Sequence, residues 1–294
     1  MTDHLHRFIF EHASIRGELV QLSDSYQEVL RRREMPEGLA RLTGEAMAAG
    51  ALLVATLKFK GQLSLQFQGD GPVGLLLIQV GSDGGLRATA RWNEDTPLPE
   101  PGAALAQFFG KGHLAITIEP KDEGERYQGL VGLGAGNLAE AVEGYFRDSE
   151  QLGTRVWLTS DDHTAAGMLL QRLPGEEGDP DAWNRAGLLT DTLTKEELRG
   201  LDTGEILRRL FHEEDLRLFD PTPFRFHCNC SRERISNILL SMGEGEIRSL
   251  LEEQGVIETH CQFCNAGYRF DAVDIEHLFS DKPHHGPQTP PTQH

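Results

Sequence analysis

The chain has 294 residues, of which 38% are hydrophobic and 25% are charged, the composition of a soluble globular protein with room for one large domain or two to three smaller ones. Its 28 basic and 46 acidic residues give a net charge of −18, which repels phosphate backbones and anionic lipid and so argues against nucleic-acid and membrane partners. The longest apolar run, residues 46–57, is far shorter than the ~20 residues that cross a bilayer and predicts a buried helix.

Residues 1–174 predict an N-terminal mixed α/β domain. Residues 62–68 alternate between apolar and polar side chains, which indicates a half-buried strand, and a turn leads from there into a more apolar strand at 73–80. Successive strands of this kind favour antiparallel pairing, so the expected fold class is α+β with a largely antiparallel sheet. Further strands are predicted directly after the polar N-terminal stretch 1–7 and at 86–92, 114–118, 155–158 and 168–170, and helices at 23–33, 36–58 and 137–149.

The character of the sequence changes at Pro174. Residues 174–180 form a hinge-like loop rich in proline, glycine and acidic residues. Residues 175–221 then place apolar residues at roughly helical spacing among 6 basic and 13 acidic residues, a net charge of −7. Because such a segment has too little apolar surface for a core of its own, we expect a metastable helical linker that must dock on a neighbour to stay folded.

All four cysteines lie in a C-terminal domain predicted for residues 222–281. They form two close pairs, Cys228-Asn-Cys230 and Cys261-Gln-Phe-Cys264. Two such pairs predict a tetrahedral four-thiolate metal site, for which the expected ion is one Zn²⁺ per chain with Zn–S bonds of roughly 2.3 Å. The same domain has predicted helices over Ile235–Met242 and Ile247–Leu251, the second ended by Gly255, and a strand that carries Tyr268 and Phe270.

The cysteine pattern has other interpretations. A zinc site with a purely structural role would look the same, as would disulfides alone, for which four cysteines allow three connectivities. His227 and His260 adjoin the pairs and either can replace a sulfur, although four thiolates already complete a tetrahedron. Because no apolar stretch follows a basic N-terminus, we expect no secretory signal and a reducing cytoplasm, in which paired thiols stay metallated.

Metal binding and folding are coupled in a domain of this size. About 60 residues give a marginal core, whereas structural zinc contributes an apparent ~10–16 kcal/mol to folding. Loss of the ion should therefore unfold residues 222–281. The two members of each pair are close enough in sequence to form a local disulfide after a first oxidation to sulfenic acid. Oxidation would thus remove the metal ligands and, with them, the fold.

Other motifs predict no enzyme. Gly132-Leu-Gly134-Ala-Gly136 precedes a predicted helix but matches neither the dinucleotide-binding nor the P-loop pattern, and it predicts a turn. His212-Glu213-Glu214 lacks the second histidine of a zinc protease, and no catalytic residue can be singled out. The run Arg31–Arg33 predicts a solvated helix face. The tail at 282–294, which contains His284 and His285, is predicted to be disordered.

Several stretches carry a resemblance to a known family. They include Arg16-Gly17-Glu18-Leu19-Val20, residues 65–72, residues 124–129, and the complete cysteine pattern followed by Ser231-Arg232-Glu233-Arg234. Together with residues 55–59 and 149–152 they make the chain resemble the bacterial redox-regulated chaperone family called heat-shock protein 33, also named the 33 kDa chaperonin. The resemblance extends to about residue 280.

The resemblance implies an ATP-independent holdase of the cytoplasm that is zinc-bound and inactive when reduced. Oxidants such as hypochlorite, or peroxide with heat, would release the zinc and form the disulfides Cys228–Cys230 and Cys261–Cys264. The zinc domain and the linker at 175–221 would then unfold, and the protein would become a homodimer. Unfolding client proteins would bind until reduction restores the resting state. The resemblance identifies no client-contacting residue.

Two other functions are compatible with the cysteine pattern. A zinc-ribbon nucleic-acid-binding protein normally has a basic face, whereas residues 222–281 contain five basic and ten acidic residues, a net charge of −5. A thiol–disulfide oxidoreductase usually carries its Cys-x-x-Cys motif near a βαβ unit. In this chain the motif comes late and opposite a second pair.

Overall fold

The computed structural model describes residues 3–56, 59–121, 124–134, 136–175 and 179–280. The chain divides into two compact units, Met1–Cys228 and Asn229–His294. The predicted tail at 282–294 and part of the predicted hinge at 174–180 lie outside the described residues. The finer division of the chain, with boundaries at 174, 221 and 281, stays a prediction.

The first unit contains all the strands and helices that the sequence predicts between residues 1 and 174. It also contains elements that the sequence did not predict, among them the strand that follows residue 126 and a short helix at 105–109. In chain order the elements are β1 (His4–Phe10), β2 (Ile15–Leu22), α1 (Asp24–Arg32), α2 (Glu37–Thr56), β3 (Gly61–Gly69), β4 (Val73–Gly81), β5 (Gly85–Trp92), α3 (Leu105–Phe109), β6 (Gly112–Pro120), β7 (Tyr127–Gly132), α4 (Leu138–Tyr145), β8 (Thr154–Ser160), β9 (Ala165–Arg172), α5 (Ala182–Thr190), α6 (Lys195–Gly200), α7 (Thr203–Phe211), β10 (Leu216–Leu218), β11 (Thr222–Pro223) and β12 (Arg225–Phe226).

The strands of this unit form two sheets. The first sheet has the order β10-β1-β2-β9-β8, with β11 also paired to β1, and the second has the order β12-β5-β4-β3-β6-β7. Among the described strands of this unit, only β12 runs parallel to its neighbour, β5. The predicted α+β class with antiparallel sheets is therefore confirmed.

Helix α2 is the centre of the main core. It packs against strands of both sheets, and its small residues allow the close approach. At Gly50, for example, an added Cβ atom would lie 2.9 Å from Cγ2 of Val80 on β4. The helix is long and apolar enough to cross a membrane, but 78% of its most apolar window is buried inside the protein. This burial confirms the buried helix predicted for residues 46–57, of which Leu57 lies outside the described residues.

Helices α5, α6 and α7 cover the outer face of the first sheet. Helix α6 begins with a capping box in which Thr194 and Glu197 satisfy each other's backbone N–H groups, and Asp202 caps α7 by accepting from the N–H of Gly204. The apolar side of these helices and the sheet form one buried cluster. Its buried members are Phe8, Phe10, Ile15, Leu19, Ala166, Met168, Leu170, Ala182, Ala186, Leu198, Ile206, Leu207, Leu210 and Phe211.

Two local predictions differ from the structure. The helix predicted for 137–149 leaves α-helical geometry after Tyr145 and continues as a π-helical turn, Phe146–Glu150. The run Arg31–Arg33 is only partly a solvated face. Arg31 is 67% exposed, but the guanidinium groups of Arg32 and Arg33 lie 4.8 Å from the ring centroids of Phe226 and Trp92. Two of the three arginines therefore pack against aromatic rings that are distant in sequence.

The second unit is small. Its core consists of five buried apolar side chains and the half-buried residues around them. Gly255, with φ of +74°, ends the second helix as predicted, whereas the last helix was not predicted. The elements are α8 (Arg232–Met242), α9 (Glu244–Gln254), β13 (Ile257–His260), β14 (Gly267–Phe270) and α10 (Ala272–Ser280), and the core residues are Leu239, Ile247, Ile257, Phe270 and Ile275.

Glu18 on β2 is a carboxyl group buried in the first unit, with 1% of its surface exposed. Its Oε2 lies 2.7 Å from the hydroxyl of Thr56, which also lies 2.8 Å from the carbonyl oxygen of Leu52. Because one hydroxyl hydrogen can serve only one of these oxygens, a protonated Glu18 supplies the missing hydrogen. Burial raises the pKa of Glu18 from 4.5 to about 7, although Thr56 and Arg16 act in the opposite direction.

The substitution Glu18→Gln should change how stability depends on pH. Because the folded pKa is raised, the stabilisation from the protonated form is complete below about pH 4.5 and is lost as the pH rises through about 7. Glutamine cannot ionise and does not lose this stabilisation. The free energy of unfolding of Glu18→Gln minus that of wild type should therefore be larger at pH 8 than at pH 5 by roughly 2–3 kcal/mol. Urea unfolding of both proteins under reducing conditions measures this, with the exposed Glu196→Gln as control. An equal difference at both pH values would contradict the expectation.

Candidate metal centre

The four cysteine sulfurs form one cluster. The Sγ atoms of Cys228, Cys230, Cys261 and Cys264 all lie within 4.8 Å of one another. The Sγ atoms of Cys230 and Cys264 are 3.3 Å apart, well beyond the ~2.05 Å of a disulfide bond. A tetrahedral ion with bonds of about 2.3 Å would hold its sulfurs about 3.8 Å apart. The spacing of the cluster therefore fits a four-thiolate metal site.

A tight turn places the second pair. Cys261 and Cys264 lie in the loop that joins β13 to β14, where the N–H of Cys261 donates to the carbonyl of Ala266 at 2.9 Å. The N–H of Asn265 donates back to the carbonyl of Cys261 at 2.8 Å. Asn265 has φ of +58°, a left-handed conformation that asparagine adopts more readily than branched residues. The loop leaves both cysteine side chains buried, at 8% and 7% exposure.

The first pair follows strand β12. The N–H of His227 donates to the carbonyl of Leu86 at 2.9 Å, which holds the chain beside β5 up to the residue before Cys228. Arg87 on β5 donates from Nη1 to the sulfur of Cys228 at 3.5 Å, and from Nε and Nη2 to Oε1 of Gln79 at 2.9 and 2.7 Å. This guanidinium stabilises negative charge on the sulfur of Cys228.

Cys230 lies at the amide end of α8. The next residue, Ser231, is the N-cap of the helix, and its hydroxyl accepts from the N–H of Arg234 at 3.2 Å. The helix dipole favours anionic groups at this end. Cys230 therefore lies where the helix dipole favours an anionic metal ligand.

Tyr268 on β14 lies beside the cluster. Its hydrogen bond with Cys230, followed by partial burial and the charges of Cys230, Cys264 and Cys261, raises the pKa of Tyr268 to about 12. The phenol therefore stays protonated at neutral pH and remains a hydrogen-bond donor next to the sulfurs.

Arg232 connects the first pair to the rest of the second unit. Its Nη1 donates to the carbonyl of Arg269 at 2.8 Å, and its Nη2 lies 2.7 Å from Oδ2 of Asp274. The same guanidinium lies 4.3 Å from the ring centroid of Phe270. One side chain thus joins the start of α8 to β14 and α10, although these contacts are exposed and contribute little stability by themselves.

The predicted ligands are brought together as a set. Among the described residues, the group that could hold a metal consists of these four cysteines and includes neither His227 nor His260. Soft thiolates in a tetrahedral arrangement are the donors that zinc prefers, so the residues fit that ion. His284 and His285 lie outside the described residues.

Sequence reasoning missed three of the surrounding side chains. Arg232 stands two residues after Cys230, so its position could have been noticed, but Arg87 and Tyr268 reach the cluster only through the fold. Of the other motifs, the stretch 132–136 contains the end of β7 and a loop before α4, with residue 135 outside the described residues. Asn137 then caps α4 by accepting from the N–H of Glu140 at 3.0 Å.

This chain is similar to proteins described as Hsp33 protein or as 33 kDa chaperonin. The family model described as Hsp33 protein matches residues 3–271. A 33 kDa chaperonin of Methylobacillus flagellatus is 47% identical over 283 residues, which cover 95% of each chain. One of Shewanella frigidimarina is 48% identical over 279 residues, which cover 95% of this chain and 96% of the relative. The relatives are named as chaperonins rather than as enzymes.

A solved structure is similar in fold. The crystal structure of the 33 kDa chaperonin, or heat-shock protein 33 homologue, of Thermotoga maritima matches with a TM-score of 0.81. The match covers 94% of this chain and 98% of the other. At 22% sequence identity, this likeness concerns the fold alone.

The substitution Cys261→Ser should lower the metal content of the purified protein, because a neutral hydroxyl is a poor substitute for a buried thiolate ligand. Metal analysis and thermal unfolding under reducing conditions should reveal a loss of bound metal and a lower-melting second unit. Ala266→Ser, which adds the same hydroxyl to the same loop without removing a ligand, is the matched control. Unchanged metal content and an unchanged transition in Cys261→Ser would refute the assignment.

The substitution Asn265→Val should weaken metal binding while leaving all four sulfurs in place. A β-branched residue resists the left-handed conformation at this position by about 1–2 kcal/mol, equivalent to roughly tenfold in affinity. Competition with a chromogenic metal chelator measures the affinity. Asn265→Gly, which keeps the left-handed conformation accessible, should bind metal almost as wild type does. Equal affinities for the two variants would mean that this turn does not position the site.

Proposed function

The chain belongs to the Hsp33 family, and on that premise we propose that it is a redox-regulated, ATP-independent chaperone, a holdase that binds unfolding proteins and prevents their aggregation. The observation that carries the proposal is the cluster of four cysteine sulfurs within 4.8 Å, set on a unit with only a small core of its own. A bound ion would make such a unit stable, and oxidation of its ligands would remove that stability.

In the reduced protein the four cysteines act as thiolate ligands. A bound zinc ion would hold the two short segments together and supply the ~10–16 kcal/mol that structural zinc contributes to folding in small peptides. The hydrophobic core of a domain this small rarely contributes more than about 3–5 kcal/mol to the free energy of unfolding. The reduced, zinc-bound chain is the inactive state.

Oxidation converts the ligands to two disulfides, Cys228–Cys230 and Cys261–Cys264. For each pair, two thiolates, one hypochlorous acid and one proton give one disulfide, one chloride and one water, so the oxidant takes up the two electrons. The sulfurs then no longer carry the charge that binds a metal. Reduction of both disulfides returns the thiolates.

The geometry of the cluster also allows disulfides between members of different pairs. Cys230 and Cys264 are 3.3 Å apart, so the folded cluster brings members of different pairs into contact. We assign the disulfides within the pairs because the unit unfolds as its ligands are lost, and in an unfolded chain the shortest loops close at the lowest entropy cost. Peptide mapping of the oxidised protein distinguishes the three possible pairings.

The linker at 175–221 is the next segment to unfold. Its helices α5, α6 and α7 have 9, 6 and 9 residues, whereas isolated helices shorter than about 12–15 residues are marginal in water. They persist because they dock on the first sheet, through the buried cluster and through hydrogen bonds from Gln21 to the carbonyls of Leu198 and Leu201 at 2.9 and 2.8 Å.

Undocking of the linker exposes a large apolar surface. Phe8 and Phe10 on β1, Leu19 on β2, and Met168 and Leu170 on β9 are buried only while these helices cover them. Contiguous apolar patches of this kind bind other proteins. We propose that this face receives unfolding clients and that two oxidised copies associate as a homodimer in the cytoplasm. The net charge of −18 is consistent with neither nucleic acid nor anionic membrane as a partner.

The two alternative functions receive no support from the site. The Cys-x-x-Cys motif lies in a hairpin loop between β13 and β14 rather than at the start of a helix, which is where disulfide oxidoreductases carry it. The acidic charge of residues 222–281 likewise opposes a nucleic-acid interface.

The main test follows metal release and chaperone activity together. A chromogenic zinc indicator records release during oxidation by hypochlorite, while light scattering records the aggregation of a heat-unfolded client. We expect suppression of aggregation to begin as the metal leaves and to disappear after reduction with added zinc. Equal suppression before and after release would refute the switch.

The substitution Phe211→Ala should make the reduced protein partly active. Phe211 is 2% exposed, and its ring centroid lies 5.1 Å from that of Phe10 and 6.2 Å from that of Phe8. Truncating a buried phenylalanine costs about 3–5 kcal/mol, enough to release a marginal linker. Leu188→Ala, at a residue of the same linker that is 58% exposed, is the control and should leave the reduced protein inactive. Aggregation assays of both reduced variants, with the zinc still bound, measure their chaperone activity. A reduced Phe211→Ala protein as inactive as the control would exclude linker docking as the restraint.

A further inference from the structure

The outer edge of strand β1 is covered by a later segment of the same chain. Strand β10 pairs with β1 through Phe8↔Leu218, Ile9↔Arg217 and Phe10↔Leu216, and β11 continues the pairing at His4 and Leu5. Backbone hydrogen bonds of 2.9 Å run from Phe219 to the carbonyl of Arg7 and from Phe224 to the carbonyl of Asp3. Residues 215–224 therefore form an added edge strand.

The hydrogen bonds identify which groups of β1 this segment satisfies. Glu11 also donates to the carbonyl of Asp215 at 2.9 Å, so odd-numbered residues of β1 direct their N–H and C=O groups toward the segment. In an antiparallel sheet the even-numbered residues then direct theirs to β2. When the segment leaves, Leu5, Arg7 and Ile9 present unpaired donors and acceptors along an open edge, which is a ready template for another strand.

The segment itself indicates what kind of strand fits there. Leu216 and Leu218 lie opposite Phe10 and Phe8, the two phenylalanines that belong to the apolar face under the linker helices. Leu218 is 46% exposed and the neighbouring Phe219 is 41% exposed, so the segment is held by its main chain and by one row of alternating apolar contacts. Such binding depends little on sequence, as required for diverse clients.

We propose that the β1 edge binds client proteins by strand addition once residues 215–224 have left it. The inference rests on the proposed function, because undocking of the linker and of the residues that follow it is what opens the edge. The occupant is an extended segment of an unfolding polypeptide, antiparallel to β1, with apolar residues at alternate positions that lie beside Phe8 and Phe10. Residues 215–224 occupy the same place in the resting chain and so act as an internal competitor.

A client segment fits the edge better than a second copy of this chain. Each copy carries a net charge of −18, which disfavours pairing two copies directly along this edge, so the proposed homodimer would use another surface. An unfolding client has no such fixed charge. The internal segment is also mixed in charge, and its Arg217 pairs with Glu11 at 2.6 Å, next to the edge.

Amide hydrogen exchange of the oxidised full-length protein, at single-residue resolution, tests the inference. On oxidation we expect the amides of Leu5, Arg7 and Ile9 to lose protection by at least about tenfold, while those of His6 and Phe8, bonded to β2, keep theirs. A synthetic peptide with the sequence of residues 214–224 should restore protection at the odd positions. A peptide of the same composition without the alternation should not. Reduced, carboxymethylated α-lactalbumin, a permanently unfolded probe, should act as the first peptide does.

The outcomes are separable. If the unfolded probe binds while the odd amides stay unprotected, strand addition is wrong and the proposed chaperone function stands. If the odd amides regain protection without a probe, in proportion to protein concentration, a second copy occupies the edge and the client assignment is wrong. If the oxidised protein binds no unfolded probe at all, the proposed function fails and the edge assignment fails with it.

A pair of variants gives an independent test. Ile9→Pro removes an N–H that points away from β2, so it blocks strand addition and leaves the ladder between β1 and β2 intact. Ile9→Val keeps the N–H and is the matched control. We expect oxidised Ile9→Pro to bind the 214–224 peptide about tenfold more weakly than Ile9→Val, with zinc release unchanged in both. Equal affinities would overturn the inference.

Discussion

Four sulfurs on two short segments are the constraint on which the C-terminal unit depends. Its five buried apolar side chains form a small core, and its best-defined polar connection, through Arg232, is exposed. A unit of this kind is stable when something joins Cys228 and Cys230 to the hairpin loop that carries Cys261 and Cys264. A bound metal ion would do this only while the sulfurs are thiolates, and on the proposed function the same atoms would determine both folding and redox sensitivity.

Under the proposed function, loss of the metal would destabilise a series of segments that are individually weak. Strands β10, β11 and β12 have two or three residues each, and the helices before them are too short to persist alone. All of them lie between residue 181 and the first cysteine pair, and all are docked on the large first unit. That unit has its main core around α2. A reversible switch requires a stable core and a covering segment that is only marginally stable. The net charge of −18 would help to keep the uncovered protein in solution.

The sequence predicted the features that are encoded locally. Alternation placed the central strands of the second sheet, the apolar run placed α2, and the spacing of the cysteines predicted the cluster that the structure contains. The sequence did not predict features that depend on contacts with residues far away in the chain. Strand β7, with its two glycines, is a strand because β6 pairs with it, and Arg87 reaches Cys228 only because β12 runs beside β5. The partial burial of Arg32 and Arg33 also depends on Phe226 and Trp92, far away in sequence.

The most direct measurement is native mass spectrometry of the full chain, prepared without oxygen and with thiol protection, combined with hydrogen exchange of residues 229–280. We expect one zinc ion per chain and slow exchange in α8, α9 and α10. Both should be lost together when a strong chelator removes the metal or when two disulfides form. A chain that carries no metal, yet keeps these helices protected from exchange, would contradict the claim that the metal holds this unit together.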